Sequence, residues 1–149
     1  HLDDKKRLEE ILSEVKSRMQ MKISSSGHSL AVARATSYFS PTAYFGDMTA
    51  GIGFYRYVED WVKNFEEKSE EIIQGLKRTA ERLFVKDNLI LNFTADAQGW
   101  KILEETVTVL SEALPEEESI VYPFDFPKGN RNEGFETSSQ VNYVGYYEL

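Results

Sequence analysis

Apolar residues recur at intervals of three and four along most of this chain, and this spacing restricts it mainly to helices that pack on one another. Residues 2–22 carry one such stripe, and residues 66–84 carry the clearest one. The stretch 66–84 also begins with acidic and ends with basic side chains, which complements the dipole of a helix. We predict helices over both stretches, and further helices over 30–39, 51–65 and about 100–114.

Two segments have the composition of strands. Residues 89–95 read LILNFTA, in which the large apolar side chains at 89, 91 and 93 alternate with their neighbours. Residues 140–149 read QVNYVGYYEL, which is rich in valine and tyrosine. Both segments are predicted strands, so the fold class is α+β.

A long polar stretch divides the predicted elements. Residues 116–139 contain two prolines, two glycines and the polar run KGNRNEG. A loop of this length is unusual inside a compact domain, so it is predicted to be a linker. We therefore predict one domain over residues 1–115, the linker over 116–139, and the first strand of a following domain over 140–149.

The charge balance excludes several partners. Twenty-five acidic residues outnumber seventeen basic ones, for a net charge of −8. This balance argues against nucleic acid, which needs clustered cations, and against anionic membrane surfaces. Apolar runs fall short of the ~20 residues that a membrane span needs. A cytoplasmic location is expected, with an organelle as the alternative.

The residue types for metal and nucleophilic chemistry are scarce. The chain has no cysteine, and its two histidines, His1 and His28, cannot form the i, i+4 pair of a helical zinc site. No cofactor is therefore expected in this chain. Three polar residues on aromatic-rich helices, Arg34, Tyr38 and Arg56, are candidates for a functional surface. The alternative is that they are ordinary residues at the edge of the core.

Several short motifs, in order, resemble the presequence-protease branch of the insulinase (pitrilysin) family of peptidases. They are Ser26-Gly27-His28, Arg34-Ala35, Ser37-Tyr38, Gly51-Ile52-x-Phe54-Tyr55, and a closing segment before Thr94-Ala95-Asp96. The resemblance covers nearly the whole chain. It implies the third of four related α+β domains, in the half of such a protease that lacks the zinc site.

The resemblance also implies a function. Such proteases have two bowl-shaped halves that close around an unfolded peptide, with zinc held by an inverted His-x-x-Glu-His motif in the first domain. This chain contains no such motif. It is expected to be a helix-rich fragment of an antiparallel-sheet metallopeptidase-like domain, with helices on one sheet face and an incomplete set of strands. It would form part of the substrate chamber wall without catalytic residues, and Arg34, Tyr38 and Arg56 would face the chamber.

The expected partners are the other domains of the parent protease and its peptide substrates, and zinc is expected in the parent's N-terminal domain. A free-standing acidic helical interaction module is the alternative function. We also predict that the isolated chain is a homo-oligomer, because a lone strand leaves unpaired backbone groups along its edges.

Overall fold

A computed structural model describes residues 2–118, 120–129, 131–137 and 140–146 of the chain. The chain forms two compact units, one of residues 1–70 and 123–149 (the first unit) and one of residues 71–122 (the second unit). The domain boundaries predicted at residues 115 and 139 stay predictions. The elements are helices α1 Lys5–Thr36, α2 Pro41–Ala50, α3 Ile52–Lys63, α4 Phe65–Leu83 and α5 Ala97–Ala113, with a 3-10 turn at Lys86–Asn88.

The predicted α+β fold is wrong, because none of the described residues forms a strand. Residues 89–95 are irregular, and Ile90 is 90% exposed. Alternating apolar side chains make a strand only when its backbone pairs with a neighbour, and no such ladder exists in the described ranges. The predicted strand 140–149 is likewise absent over 140–146, and its last three residues lie outside the described part.

Helix α1 is longer than the sequence predicts. Asp4 caps its start by accepting the Arg7 backbone N–H at 3.0 Å. The serine-rich run that was predicted to end the helix bends it instead, with Ser26 alone outside helical dihedral angles (φ −135°, ψ 33°). The Ser25 hydroxyl donates to the Lys22 carbonyl at 3.4 Å, and such back-bonding competes with the helical ladder. The two predicted helices are therefore halves of one kinked helix.

Helix α2 was not predicted. Ser40 caps it by accepting the Ala43 N–H at 3.4 Å, and Pro41 occupies the first turn, where its missing N–H costs nothing. The Ser-Pro pair that was predicted only to end a helix therefore also begins the next one. Gly51 then ends α2 and begins α3, so these two helices meet at a single residue.

The first unit is built from helix-on-helix packing. Helix α1 packs against α2 and α3, and α2 packs against α3. Burial of apolar side chains is the main favourable term for such a unit. The buried apolar side chains of its described residues are Leu12, Met19, Leu30, Tyr38, Ile52, Val58 and Phe65.

The second unit contains the end of α4, the 3-10 turn and α5. Asp96 caps α5 by accepting the Gly99 N–H at 2.8 Å, which confirms the predicted helix start. The Lys86 N–H donates to the Pro115 carbonyl at 3.0 Å and joins the turn to the end of α5. The predicted apolar face of α5 is nevertheless open, since Trp100 is 53% exposed.

Candidate functional site

A buried aspartate fixes the junction of α2 and α3. Asp47 is 1% exposed and accepts the backbone N–H groups of Ile52 at 3.0 Å and Gly53 at 3.2 Å. The first N–H groups of a helix have no partner within it, and the residue that begins α3 has no side chain to cap them. The Asp47 carboxylate supplies this cap and places negative charge at the positive end of the helix dipole.

Two glycines make room for this carboxylate. A Cβ atom on Gly51 would lie 2.5 Å from Asp47 Oδ1 and 2.8 Å from its Cα. A Cβ atom on Gly53 would lie 2.6 Å from Asp47 Oδ2 and 2.9 Å from the sulfur of Met48. The Gly-Ile-Gly sequence is thus explained by the close approach of Asp47 and needs no nucleotide.

Arg34 of α1 lies between two carboxylates. Its Nη1 donates to Asp47 Oδ2 at 2.6 Å. Its Nε and Nη2 donate to the two oxygens of Glu133 at 2.7 and 3.1 Å. The side chain is only 13% exposed. This two-pronged geometry uses the rigid fork of a guanidinium, which a lysine could not reproduce.

Glu133 collects donors from three other residues of the first unit. Besides Arg34, the Tyr38 hydroxyl donates to Glu133 Oε2 at 2.6 Å, and Arg56 Nη1 lies 3.7 Å from Oε1. The residue's backbone lies in an exposed segment, yet its side chain is 21% exposed. The hydrogen bonds from Arg34 lower the pKa of Glu133 to about 2, although burial opposes this shift.

The partners of Glu133 respond in the opposite direction. The hydrogen bond to Glu133 raises the pKa of Arg34, against the effect of burial. Burial raises the pKa of Tyr38, and donation to Glu133 raises it further. All three groups therefore hold fixed charge states at neutral pH: a cation, an anion and a neutral phenol.

Cations and aromatic rings surround this network. The Arg34 guanidinium lies 4.9 Å from the centre of the Tyr38 ring, and that of Arg131 lies 5.7 Å from the same ring. Arg56 lies 5.0 Å from the centre of the Phe135 ring. An open cavity of about 370 Å³ adjoins the network, lined among others by Arg34, Tyr38, Arg56 and Arg131.

The structure brings the three predicted site residues together around one carboxylate. Sequence reasoning missed that carboxylate, Glu133, and also missed Asp47. The Gly-Ile-Gly run downstream of Asp47 was a usable signal, because it predicts close packing at that point. Nothing in the polar segment around Glu133 distinguishes it from its neighbours. That Arg34, Tyr38 and Arg56 face a substrate chamber stays a prediction.

The network is built to hold charge, and we find no arrangement for bond chemistry in it. Its carboxylates are neutralised by arginine and by backbone donors, so neither is a base with a raised pKa. Among the described residues, no three His, Asp or Glu side chains group closely enough to hold a metal ion. The residues present therefore do not fit a zinc site, which needs three or four such ligands. None of the described helices is both long enough and apolar enough to cross a bilayer.

Comparison with known proteins gives this network a family context. Residues 1–60 match the family model of the peptidase-associated domain that accompanies peptidases of the presequence-protease subfamily. The chain is 27% identical, over 95% of its length, to presequence protease 1, chloroplastic/mitochondrial, of Arabidopsis thaliana. It is 26% identical, over 96% of its length, to Protein HypA of Clostridium perfringens.

The chain is therefore a segment related to the associated domain of presequence proteases, with distant homology over most of its length. The family resemblance inferred from the sequence motifs is confirmed. The chain spans 13% of the Arabidopsis protein and 14% of the Clostridium protein.

Proposed function

We propose that this chain is a non-catalytic segment of a zinc-dependent metallopeptidase that degrades peptides, and that its first unit forms part of the substrate chamber wall. The observation that carries the proposal is the match of residues 1–60 to a peptidase-associated family. Homology to a presequence protease over 95% of the chain supports it. Zinc would be bound by another part of the parent protein, and the cytoplasm is the proposed location.

The geometry of the first unit agrees with a supporting role. The Asp47–Arg34–Glu133 network joins α1, the α2–α3 junction and the segment after residue 123 through charge-assisted hydrogen bonds. Such bonds are stronger than neutral ones and fix orientation. Arg56 is 54% exposed at the edge of the network, which leaves it able to contact a peptide.

The test uses the natural full-length protein that contains this segment. We expect one zinc per chain after dialysis and cleavage of an unstructured fluorogenic peptide. Arg56→Ala should raise KM with little change in kcat, because a wall residue binds substrate without acting on the scissile bond. Arg78→Ala, an exposed arginine on α4, is the matched control and should leave both constants unchanged.

The outcomes separate two claims. A full-length protein without zinc or peptidase activity would contradict the proposed parent. Equal KM values for Arg56→Ala and Arg78→Ala in an active enzyme would contradict only the chamber-wall role.

A free-standing helical interaction module is the second candidate. The exposed apolar side chains of the second unit favour it, because large apolar side chains in water mark surfaces that bind partners. The natural reading frame separates the two candidates. A frame confined to residues 1–149 would contradict the peptidase proposal and support the module.

A further inference from the structure

The donors around Glu133 all come from helical parts of the first unit, whereas Glu133 itself comes from an irregular segment. Arg34 lies on α1, Tyr38 lies in the turn directly after it, and Arg56 lies on α3. Glu133 belongs to the stretch 123–137, whose described residues form no helix or strand. The network therefore consists of a helical receptor and an extended peptide bound to it.

The receptor is fixed without its occupant. Asp47 holds Arg34 through Nη1, and so leaves Nε and Nη2 directed at the position of a second carboxylate. Because Asp47 is itself held by two backbone N–H groups, the guanidinium cannot turn freely when Glu133 leaves. A preorganised fork of this kind binds a carboxylate with little loss of conformational entropy.

The charges favour an anion at this position. Asp47 balances the charge of Arg34, and Arg56 then remains as a cation that only Glu133 approaches among the ion pairs of the described network. Arg131 adds a further cation beside the Tyr38 ring. The receptor without Glu133 is therefore positive, although the chain as a whole carries a net charge of −8.

Side chains of the irregular segment also pack on the receptor. The Phe135 ring lies 5.0 Å from the Arg56 guanidinium, two residues after Glu133. Phe124 lies 6.0 Å from the Tyr44 ring and 6.2 Å from the Phe45 ring. The Gly129 N–H donates to the Tyr38 carbonyl at 3.4 Å. The bound features are thus a glutamate, an aromatic residue two positions later, and an extended backbone.

We propose that Arg34, Tyr38 and Arg56 form a binding site for extended acidic peptides of the pattern Glu-x-Phe, and that Glu133-Gly134-Phe135 of the same chain is its internal ligand. The site recognises the glutamate through the arginine fork and the tyrosine hydroxyl, and the aromatic ring through Arg56. It rests on contacts within the first unit and does not depend on the proposed peptidase parent.

The internal ligand competes with any external one. A tethered segment acts at an effective concentration of roughly millimolar, so a peptide in solution must exceed that level to displace it. The wild-type chain should therefore bind such a peptide weakly. Removing the internal glutamate and phenylalanine should open the site.

The test is a titration of the synthetic peptide acetyl-Arg-Asn-Glu-Gly-Phe-amide into the Glu133→Ala/Phe135→Ala chain, followed by NMR or calorimetry. We expect binding at least tenfold tighter than to the wild-type chain. We also expect at least a tenfold loss when Gln replaces Glu in the peptide, or when Arg34→Met is added to the chain. Equal binding of the Glu and Gln peptides, or no binding to the opened chain, would overturn the proposal.

A second measurement remains informative if the double variant folds poorly. The single variant Glu133→Ala is melted in propionate, in propionamide and in chloride at matched ionic strength. Propionate alone should raise Tm, because it returns a carboxylate to the fork. Glu133→Ala/Arg34→Met should show no such rescue. Equal shifts in propionate and propionamide would contradict a carboxylate site.

Discussion

Arg34 and Glu133 are separated by 99 residues in the sequence and meet through two parallel hydrogen bonds of 2.7 and 3.1 Å. The same guanidinium bonds Asp47 at 2.6 Å, so one side chain connects a helix junction to a distant irregular segment. Because few covalent or regular elements link that segment to the helices, this arginine has an unusual share in fixing its position.

The first prediction concerns Asp47→Asn. Removing the charge leaves Arg34, which is 13% exposed, without one of its two anions, and weakens the cap of α3. Breaking a buried ion pair in this way costs about 3–5 kcal/mol of unfolding free energy. Urea unfolding followed by Trp61 fluorescence in a Trp100→Phe background reports the first unit alone. Glu14→Gln, which breaks an exposed pair with Arg18, is the control and should change stability by less than about 0.5 kcal/mol.

The second prediction compares two glycines. Gly51→Ala places a methyl group 2.5 Å from Asp47 Oδ1 and 2.8 Å from its Cα, and backbone atoms cannot move aside cheaply. We expect a loss of about 1–3 kcal/mol, as for other overpacked sites. Gly75→Ala meets nothing within 4 Å on α4, so it should stabilise the chain by about 0.5–1 kcal/mol. Stabilisation by both substitutions, measured in urea, would contradict the close approach of Asp47.

How much of this structure the sequence predicts depends on the range of the interactions. The apolar spacing and the Asp96 cap are local, and they predicted the positions of α3, α4 and α5. The Arg34 and Tyr38 side chains were recognisable because polar groups on aromatic-rich helices are unusual. Glu133 was not, because its selection depends on a contact across 99 residues that no local pattern encodes.

The errors have local causes as well. Residues 89–95 have the alternation of a strand, but pairing decides whether a strand forms, and the described residues offer no partner. Residues 41–50 begin with Pro41 and contain small and polar side chains, so they lack the stripe that reveals a helix. Their helix is held by the Ser40 cap and by packing on α1 and α3.

The third prediction concerns association of the isolated chain. Edge pairing of a strand no longer supports it, but exposed apolar side chains do: Ile90, Ile102 and Val121 are 90%, 72% and 91% exposed. Burial of such surface drives association. Sedimentation should therefore show a dimer or larger species at micromolar concentration, and Ile90→Glu/Ile102→Glu should shift it towards monomer. Val144→Glu, at a 95% exposed position of the first unit, is the control; a monomer at every concentration would contradict the prediction.

The fourth prediction is a pH dependence that belongs to Glu133. Its pKa falls from an ordinary 4.5 to about 2 in the folded chain, chiefly through the hydrogen bonds from Arg34. A lowered folded pKa stabilises the fold fully above pH 4.5, and this stabilisation is lost as the pH falls towards 2, by roughly 3 kcal/mol in total. Glu133→Gln should thus be less stable than wild type at pH 7, with the gap closing between pH 4.5 and 2 in urea unfolding. Glu136→Gln, in the same segment, should run parallel to wild type, and a Glu133→Gln gap that is independent of pH would show that the charge of Glu133 does not stabilise the fold.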